Sequence, residues 1–129
     1  MNKYIIDASA WVEYFEGSQI GEKVKNIVES TENSIYTNVI TIAELSSFFK
    51  RKNRNFSEAK KSLLSLSVIS ELNTDFAEDA GVLYIELKKE RTSISLVDSI
   101  VFLNGKKLNA KIVTKDEDFR GLKEVLLLR

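Results

Sequence analysis

Short apolar runs alternate with helix-period stretches along the whole chain, and few folds accommodate that alternation. The first run, Lys3-Tyr4-Ile5-Ile6, stops abruptly at Asp7. Further strand candidates lie at 34–37, 67–72, 110–114 and 125–128. Residues 8–15 are predicted helical, with Ser9 as candidate N-cap and Trp11, Val12 and Phe15 at helical spacing. Ile20, Val24, Ile27 and Val28 mark a second amphipathic helix. Asn38 is placed to cap a helix carrying Ile42, Leu45, Phe48 and Phe49 on one face. Ser57 is placed to cap another, with Leu63, Leu64 and Leu66 inward. Thr74 opens the longest helix, through Phe76, Ala80, Leu83, Tyr84 and Leu87, and Ser95 caps one that runs to Leu108. Strands interleaved with helices predict an α/β fold with a mainly parallel central sheet flanked by helices, one domain over residues 1–129.

Composition narrows the chemistry. The chain has no Cys and no His, which removes thiolate and imidazole zinc sites, disulfides and every His-based catalytic triad. Nineteen basic residues balance nineteen acidic ones, so a protein that coats nucleic acid by net charge is not expected. No apolar run reaches the length of a membrane span and the N-terminus has no signal-peptide pattern, so a cytoplasmic protein without membrane contact is expected. No Gly-rich phosphate loop is present, which disfavours nucleotide-hydrolase and dinucleotide readings. Catalysis would have to run on carboxylates, hydroxyls, Lys, Tyr or a metal held by oxygen.

The carboxylates fall in a pattern. Asp7 closes the first strand, Asp116 and Asp118 follow the strand at 110–114, and Glu44 and Asp98 lie in the opening turns of helices. In open α/β sheets ligands collect beyond the carboxyl ends of strands, and a parallel sheet would bring all five to that rim. Four of the six Asp residues belong to this group. Converging carboxylates repel one another unless a cation joins them. Oxygen-only ligands favour Mg²⁺, with Mn²⁺ as a common substitute, and suit phosphodiester hydrolysis. Each acid also has an ordinary structural role open to it. Thr41-Ile42-Ala43-Glu44 and Ser95-Leu96-Val97-Asp98 fit helix capping boxes, and Asp116 and Asp118 fit turn formation.

Together, Asp7-Ala8-Ser9-Ala10-Trp11, Thr41-Ile42-Ala43-Glu44-Leu45, Val97-Asp98-Ser99 and Val113-Thr114-Lys115-Asp116-Glu117-Asp118-Phe119 resemble a PIN domain. More narrowly they resemble the VapC-type toxins of type II toxin–antitoxin pairs. The resemblance covers essentially the whole chain. It implies a Mg²⁺- or Mn²⁺-dependent endoribonuclease, a VapB-type antitoxin that blocks the site, and a homodimer. It places Asp7, Glu44, Asp98 and Asp116 as metal-site and catalytic acids. Asp118 would assist or substitute, and Ser9 and Thr114 would support. The stretch Ser99-Ile100-Val101-Phe102-Leu103-Asn104-Gly105 departs from the Ala-rich helix common after the third acid, which bears on packing rather than chemistry.

Lys50, Arg51, Lys52 and Arg54 follow the Glu44 helix and could contact RNA, or simply complement a helix C-terminus. Trp11, Tyr14 and Phe15 offer core contacts, base stacking or a partner surface. The helices around Ile20 and after Ser57 could frame an antitoxin groove. Two rival readings remain open. One is a Mg²⁺-dependent phosphoacceptor signalling domain using Thr114-Lys115, although the strand candidates at 34–37 and 67–72 lack a terminal Asp. The other is a non-catalytic partner-binding domain.

Overall fold

In the computed structural model, which describes residues 2–129, each connection between sequence-adjacent strands is long enough to return the chain to the same end of the sheet. Neighbouring strands therefore run parallel. The elements are β1 (Asn2–Ile6), α1 (Ala8–Glu16), α2 (Gln19–Val28), β2 (Asn33–Asn38), α3 (Val39–Arg51), α4 (Ser57–Leu66), β3 (Val68–Ser70), α5 (Thr74–Lys88), α6 (Leu96–Leu108), β4 (Lys111–Thr114) and β5 (Val125–Leu127). A single 3-10 turn, Glu117–Phe119, lies between β4 and β5. The sheet order is β3-β2-β1-β4-β5, and every pairing is parallel. The α/β expectation holds, with all five strands where the apolar runs placed them.

The sheet is covered on both faces, which explains why its strands read as continuous apolar runs rather than alternating ones. Adjacent residues of one strand feed opposite cores. Ile6 and Val113 join Trp11, Val24, Leu45 and Leu63, from α1, α2, α3 and α4, on one face. Ile5 and Ile112 join Val101, Phe102 and Phe119 on the face of α5 and α6. The departing α6 segment has a packing reason: a Cβ on Gly105 would lie 2.7 Å from the Ile112 side chain, so glycine lets α6 press onto β4.

Several local expectations shift. Asp7, not Ser9, is the N-cap of α1, its side chain accepting from the Ala10 amide. Asn38 caps α3 as expected, and α5 opens at Thr74 as expected, under an Asn73 cap. Ser57 opens α4 without capping it; its amide instead bonds Asn55 Oδ1 at 2.8 Å. Leu64 is 49% exposed rather than inward. The strand at 67–72 contracts to three residues at the sheet edge, where only β2 offers hydrogen bonds.

Helices α1 and α2 meet at Gly21, where an added Cβ would lie 2.0 Å from the Glu13 carbonyl oxygen. That neighbour is backbone and cannot swing aside. Gly21→Ala is expected to destabilise the protein by about 2–3 kcal/mol, read as a lower midpoint in chemical denaturation. An unchanged midpoint would show that the two helices are free to separate.

Candidate functional site

The order of the strands sets the place. The chain winds outward from β1 through β2 to β3, then crosses back to β4 on the other side of β1. The crevice beyond β1 and β4 is therefore the switch point where open α/β sheets hold ligands. Asp7 follows β1 and Asp116 follows β4.

Asp7 is 8% exposed, and its carboxylate is held from several sides. Oδ1 accepts from Ser9 Oγ at 2.7 Å and from the Ala10 amide at 3.0 Å. Oδ2 accepts a short bond from Thr114 Oγ1. The same hydroxyls fix the loop after β4. The Lys115 amide donates to Ser9 Oγ and the Asp116 amide to Thr114 Oγ1, both at 3.0 Å. Asp116 then caps the 3-10 turn by accepting from the Asp118 amide at 2.9 Å. Small hydroxyl residues at 9 and 114 thus lock two strand ends together.

Glu44 arrives from α3. Its capping-box role does not form, because α3 begins at Val39 under the Asn38 cap and Thr41 is buried inside the first turn. Asp98 does complete a capping box: its Oδ2 accepts from the Ser95 amide at 3.0 Å, and its own amide donates to Ser95 Oγ. Asp98 also lines the cavity described below, so capping and a place at the cavity coexist.

The structure brings Asp7, Glu44, Asp98 and Asp116 around one cavity of about 100 Å³, closed by Ser9, Val97, Val101 and Phe119. Asp118 joins from the loop, with carboxylate oxygens of Asp98, Asp116 and Asp118 all within 4.8 Å of one another. Asp116 lines the cavity, and Asp118 lies beside it without lining it. Among the described residues no ion pair reaches any of these five acids. The nearest cation by sequence, Lys115, pairs with Glu13 at 2.8 Å.

Unneutralised carboxyls hold their protons more tightly. Burial lifts Asp7 from 3.8 to about 6, against the lowering effect of its Thr114, Ser9 and Ala10 hydrogen bonds. Glu44 rises from 4.5 to about 7, through desolvation at the cavity and then the charges of Asp7 and Asp98. Asp98 is raised by burial, opposed by its Ser95 bonds, with Asp116 and Asp118 adding to the rise. Asp118 is raised by desolvation and then by Asp116.

Two positioning features had no sequence signal. Asn38 Nδ2 donates to Asn104 Oδ1 at 2.8 Å in the interior, tying the start of α3 to α6 and so Glu44 to Asp98. Arg91 Nη1 donates to the Asp118 carbonyl at 3.1 Å, clamping the acid-bearing loop. Neither pair is close in sequence: Asn38 reads only as a helix cap, and nothing near Arg91 in the chain points to the loop after β4.

The remaining candidates lie apart from the cavity. Trp11 is fully buried and donates to Thr37 Oγ1 at 3.1 Å, which excludes it from stacking on a base. Tyr14 bonds Glu29 at 2.7 Å, and Phe15 stacks on Trp11. Lys50, Arg51, Lys52 and Arg54 are exposed. Arg54 pairs with Glu16 at 2.9 Å, and Arg51 lies beside Glu44 in an adjoining groove.

The chain is similar in fold to several solved structures. VapBC2 of Rickettsia felis, bound to a promoter DNA fragment, shares 18% identity over 98% of this chain and 99% of that one, with a TM-score of 0.74. DNA-bound VapBC of Salmonella typhimurium shares 17% over 98% and 97%, with a TM-score of 0.73. VapC20 of Mycobacterium tuberculosis, described as a sarcin-ricin loop cleaving toxin, shares 17% over 93% and 95%, with a TM-score of 0.73. No curated sequence matches the chain. The PIN domain family model matches residues 4–125, a span that holds all five acids, β2, β3, β4 and most of β1, and ends at the first residue of β5. The chain belongs to the PIN domain family.

Proposed function

We propose that the protein is a divalent-metal-dependent endoribonuclease and the toxin of a type II toxin–antitoxin pair. The observation that carries this reading is the cavity at the β1–β4 switch point, where four carboxylates from separate elements converge and no ion pair among the described residues offsets them. The donor set fits a metal. It is all oxygen, which selects Mg²⁺ or Mn²⁺ over softer ions, and about 100 Å³ is too small for an organic cofactor. Asp7, Glu44, Asp98 and Asp116 would hold the ion, with Asp118 at its flank. When bound, such an ion lowers the pKa of the attacking water and offsets charge on the phosphoryl oxygens.

The chain's own groups do the rest. Ser9 and Thr114 orient the Asp7 carboxylate and leave it one unshared lone pair on Oδ2. The Ser95 cap fixes the Asp98 carboxylate. The Glu44 side chain makes no hydrogen bond or ion pair among the described residues and stands on a longer arm, which suits it to take a proton from water in the cavity. Lys115, which a phosphoacceptor domain would turn toward its phosphoryl group, is instead engaged by Glu13. RNA as substrate, a VapB-type antitoxin as partner, a homodimer and a cytoplasmic site of action complete the proposal. The fold likeness to VapBC complexes supports the antitoxin. Among the described residues no helix is long and apolar enough to cross a membrane.

Protein purified away from any antitoxin is expected to cleave single-stranded RNA with Mg²⁺ or Mn²⁺, to stop on addition of EDTA, and to resume when metal is restored in excess. Gel analysis of labelled RNA checks this. Cleavage indifferent to EDTA would contradict the metal, and acyl-phosphate formation with a small phosphodonor would favour the signalling alternative.

A further inference from the structure

The basic run after Glu44 does not act as one patch. On α3, residues Ile40, Ala43, Glu44, Ser47 and Arg51 are spaced by three and four, so they share one face of the helix. That face, with Val97 from α6, lines an open groove of about 360 Å³. Glu44 and Val97 also line the acid cavity, so the groove adjoins the cavity across these two residues. Helical rise sets Arg51 about 10 Å beyond Glu44 along the axis.

Of the four basic residues at 50–54, only Arg51 lines this groove. Its guanidinium meets no carboxylate among the described residues and lies 5.8 Å from the Phe48 ring centroid. Arg54 is committed to Glu16 and lies over Phe49 at 5.0 Å, away from the site. The groove wall is chemically mixed. Ile40, Ala43 and Val97 are apolar, Ser47 offers a hydroxyl, and an unpaired Arg stands at the far end. Apolar walls with a few placed polar groups are what a nucleobase needs, and a guanidinium fork matches a phosphate.

We infer that this groove is a nucleotide subsite. The residue of the RNA strand adjoining the cleaved phosphate lies with its base against Ile40, Ala43 and Val97 and its phosphate on Arg51. The inference rests on the nuclease reading and adds to it a path for the strand beside the cleaved phosphate. Arg51 is a substrate-binding residue in this account, while Lys50, Lys52 and Arg54 are not.

Fluorescence anisotropy with a labelled single-stranded oligoribonucleotide tests it, in an Asp7→Asn parent so that the probe survives. Arg51→Ala is expected to raise Kd about tenfold and to lower the slope of log affinity against log salt by about 0.7, one single-strand phosphate contact. Ala43→Phe fills the groove without changing charge; it is expected to weaken binding comparably with the salt slope unchanged. Lys25→Ala on α2 is expected to change neither quantity. All three side chains are exposed, and thermal midpoints equal to the parent's confirm folding. Parent-like Kd in both Arg51→Ala and Ala43→Phe would overturn the subsite. Cleavage of the same oligonucleotide by the wild-type chain separates the two claims. If it is cleaved with Mg²⁺ or Mn²⁺ while both variants bind as the parent does, the subsite falls and the nuclease stands. If it is neither cleaved nor bound, both fall.

Discussion

Asp7→Asn is expected to reduce RNA cleavage by at least about a thousandfold and, with chelator present at pH 7.5, to raise the thermal midpoint. The two effects have one origin. The Asp7 carboxyl is buried and pushed up to about 6, so at pH 7.5 the folded protein carries a charge that burial opposes. Removing the charge relieves on the order of 2–3 kcal/mol, and Asn remains a good N-cap for α1. Asn also loses the charge-assisted bonds from Ser9 and Thr114, which offsets part of the gain. A net rise of about 5 °C is expected for a domain of this size. Asp7→Ala should be equally inactive but less stable than wild type, because the Ala10 amide and both hydroxyls lose their acceptor. Activity in Asp7→Asn near the wild-type level would remove Asp7 from the chemistry.

The metal-free protein is expected to lose stability as pH rises, and divalent ion to restore it. A carboxyl whose folded-state pKa is raised binds its proton more tightly when folded. Its favourable contribution is full below the unfolded value and disappears as pH climbs to the folded one. For Asp7 that window runs from 3.8 to about 6, and for Glu44 from 4.5 to about 7. Asp98 and Asp118 act in the same sense. Glu13 acts oppositely, since its hydrogen bonds to Lys115 and Ser18 lower its pKa and its contribution fades as pH falls. The comparison that isolates the cavity is therefore wild type against Asp7→Asn. Between pH 4 and 7 in EDTA, wild type should lose on the order of 2 kcal/mol relative to the variant. Millimolar Mn²⁺ at pH 7.5 should raise the wild-type midpoint and leave that of Asp7→Asn nearly unmoved. Parallel pH profiles for the two proteins would show that burial does not raise the Asp7 carboxyl in the folded state.

Much of this was legible in the chain because it rests on short-range pattern. Asp7 stands at the end of an apolar strand where Asp is otherwise rare, and Thr114 precedes Asp116 by two residues in a turn. The parallel sheet followed from helices between strands. What was not legible depends on contacts between distant residues. Ser9 reads as an N-cap but serves Asp7 instead, because β4 delivers Thr114 beside it. Thr41 and Glu44 fit a capping box in sequence, yet Asn38 starts the helix three residues earlier. The buried Asn38–Asn104 bond joins residues 66 apart. Trp11, Tyr14 and Phe15 left core, stacking and partner roles open in sequence, and Trp11 is the largest fully buried side chain among the described residues, since only the packing of α1 on the sheet decides which aromatic points inward.

Anomalous scattering from crystals grown with Mn²⁺ and an uncleavable single-stranded oligonucleotide tests the central claim most directly. A peak inside the cavity beyond β1 and β4, within about 2.5 Å of carboxylate oxygens of Asp7 and Asp98, is the predicted result. A peak bound elsewhere, with the cavity carboxylates contacting only water or protein, would contradict it.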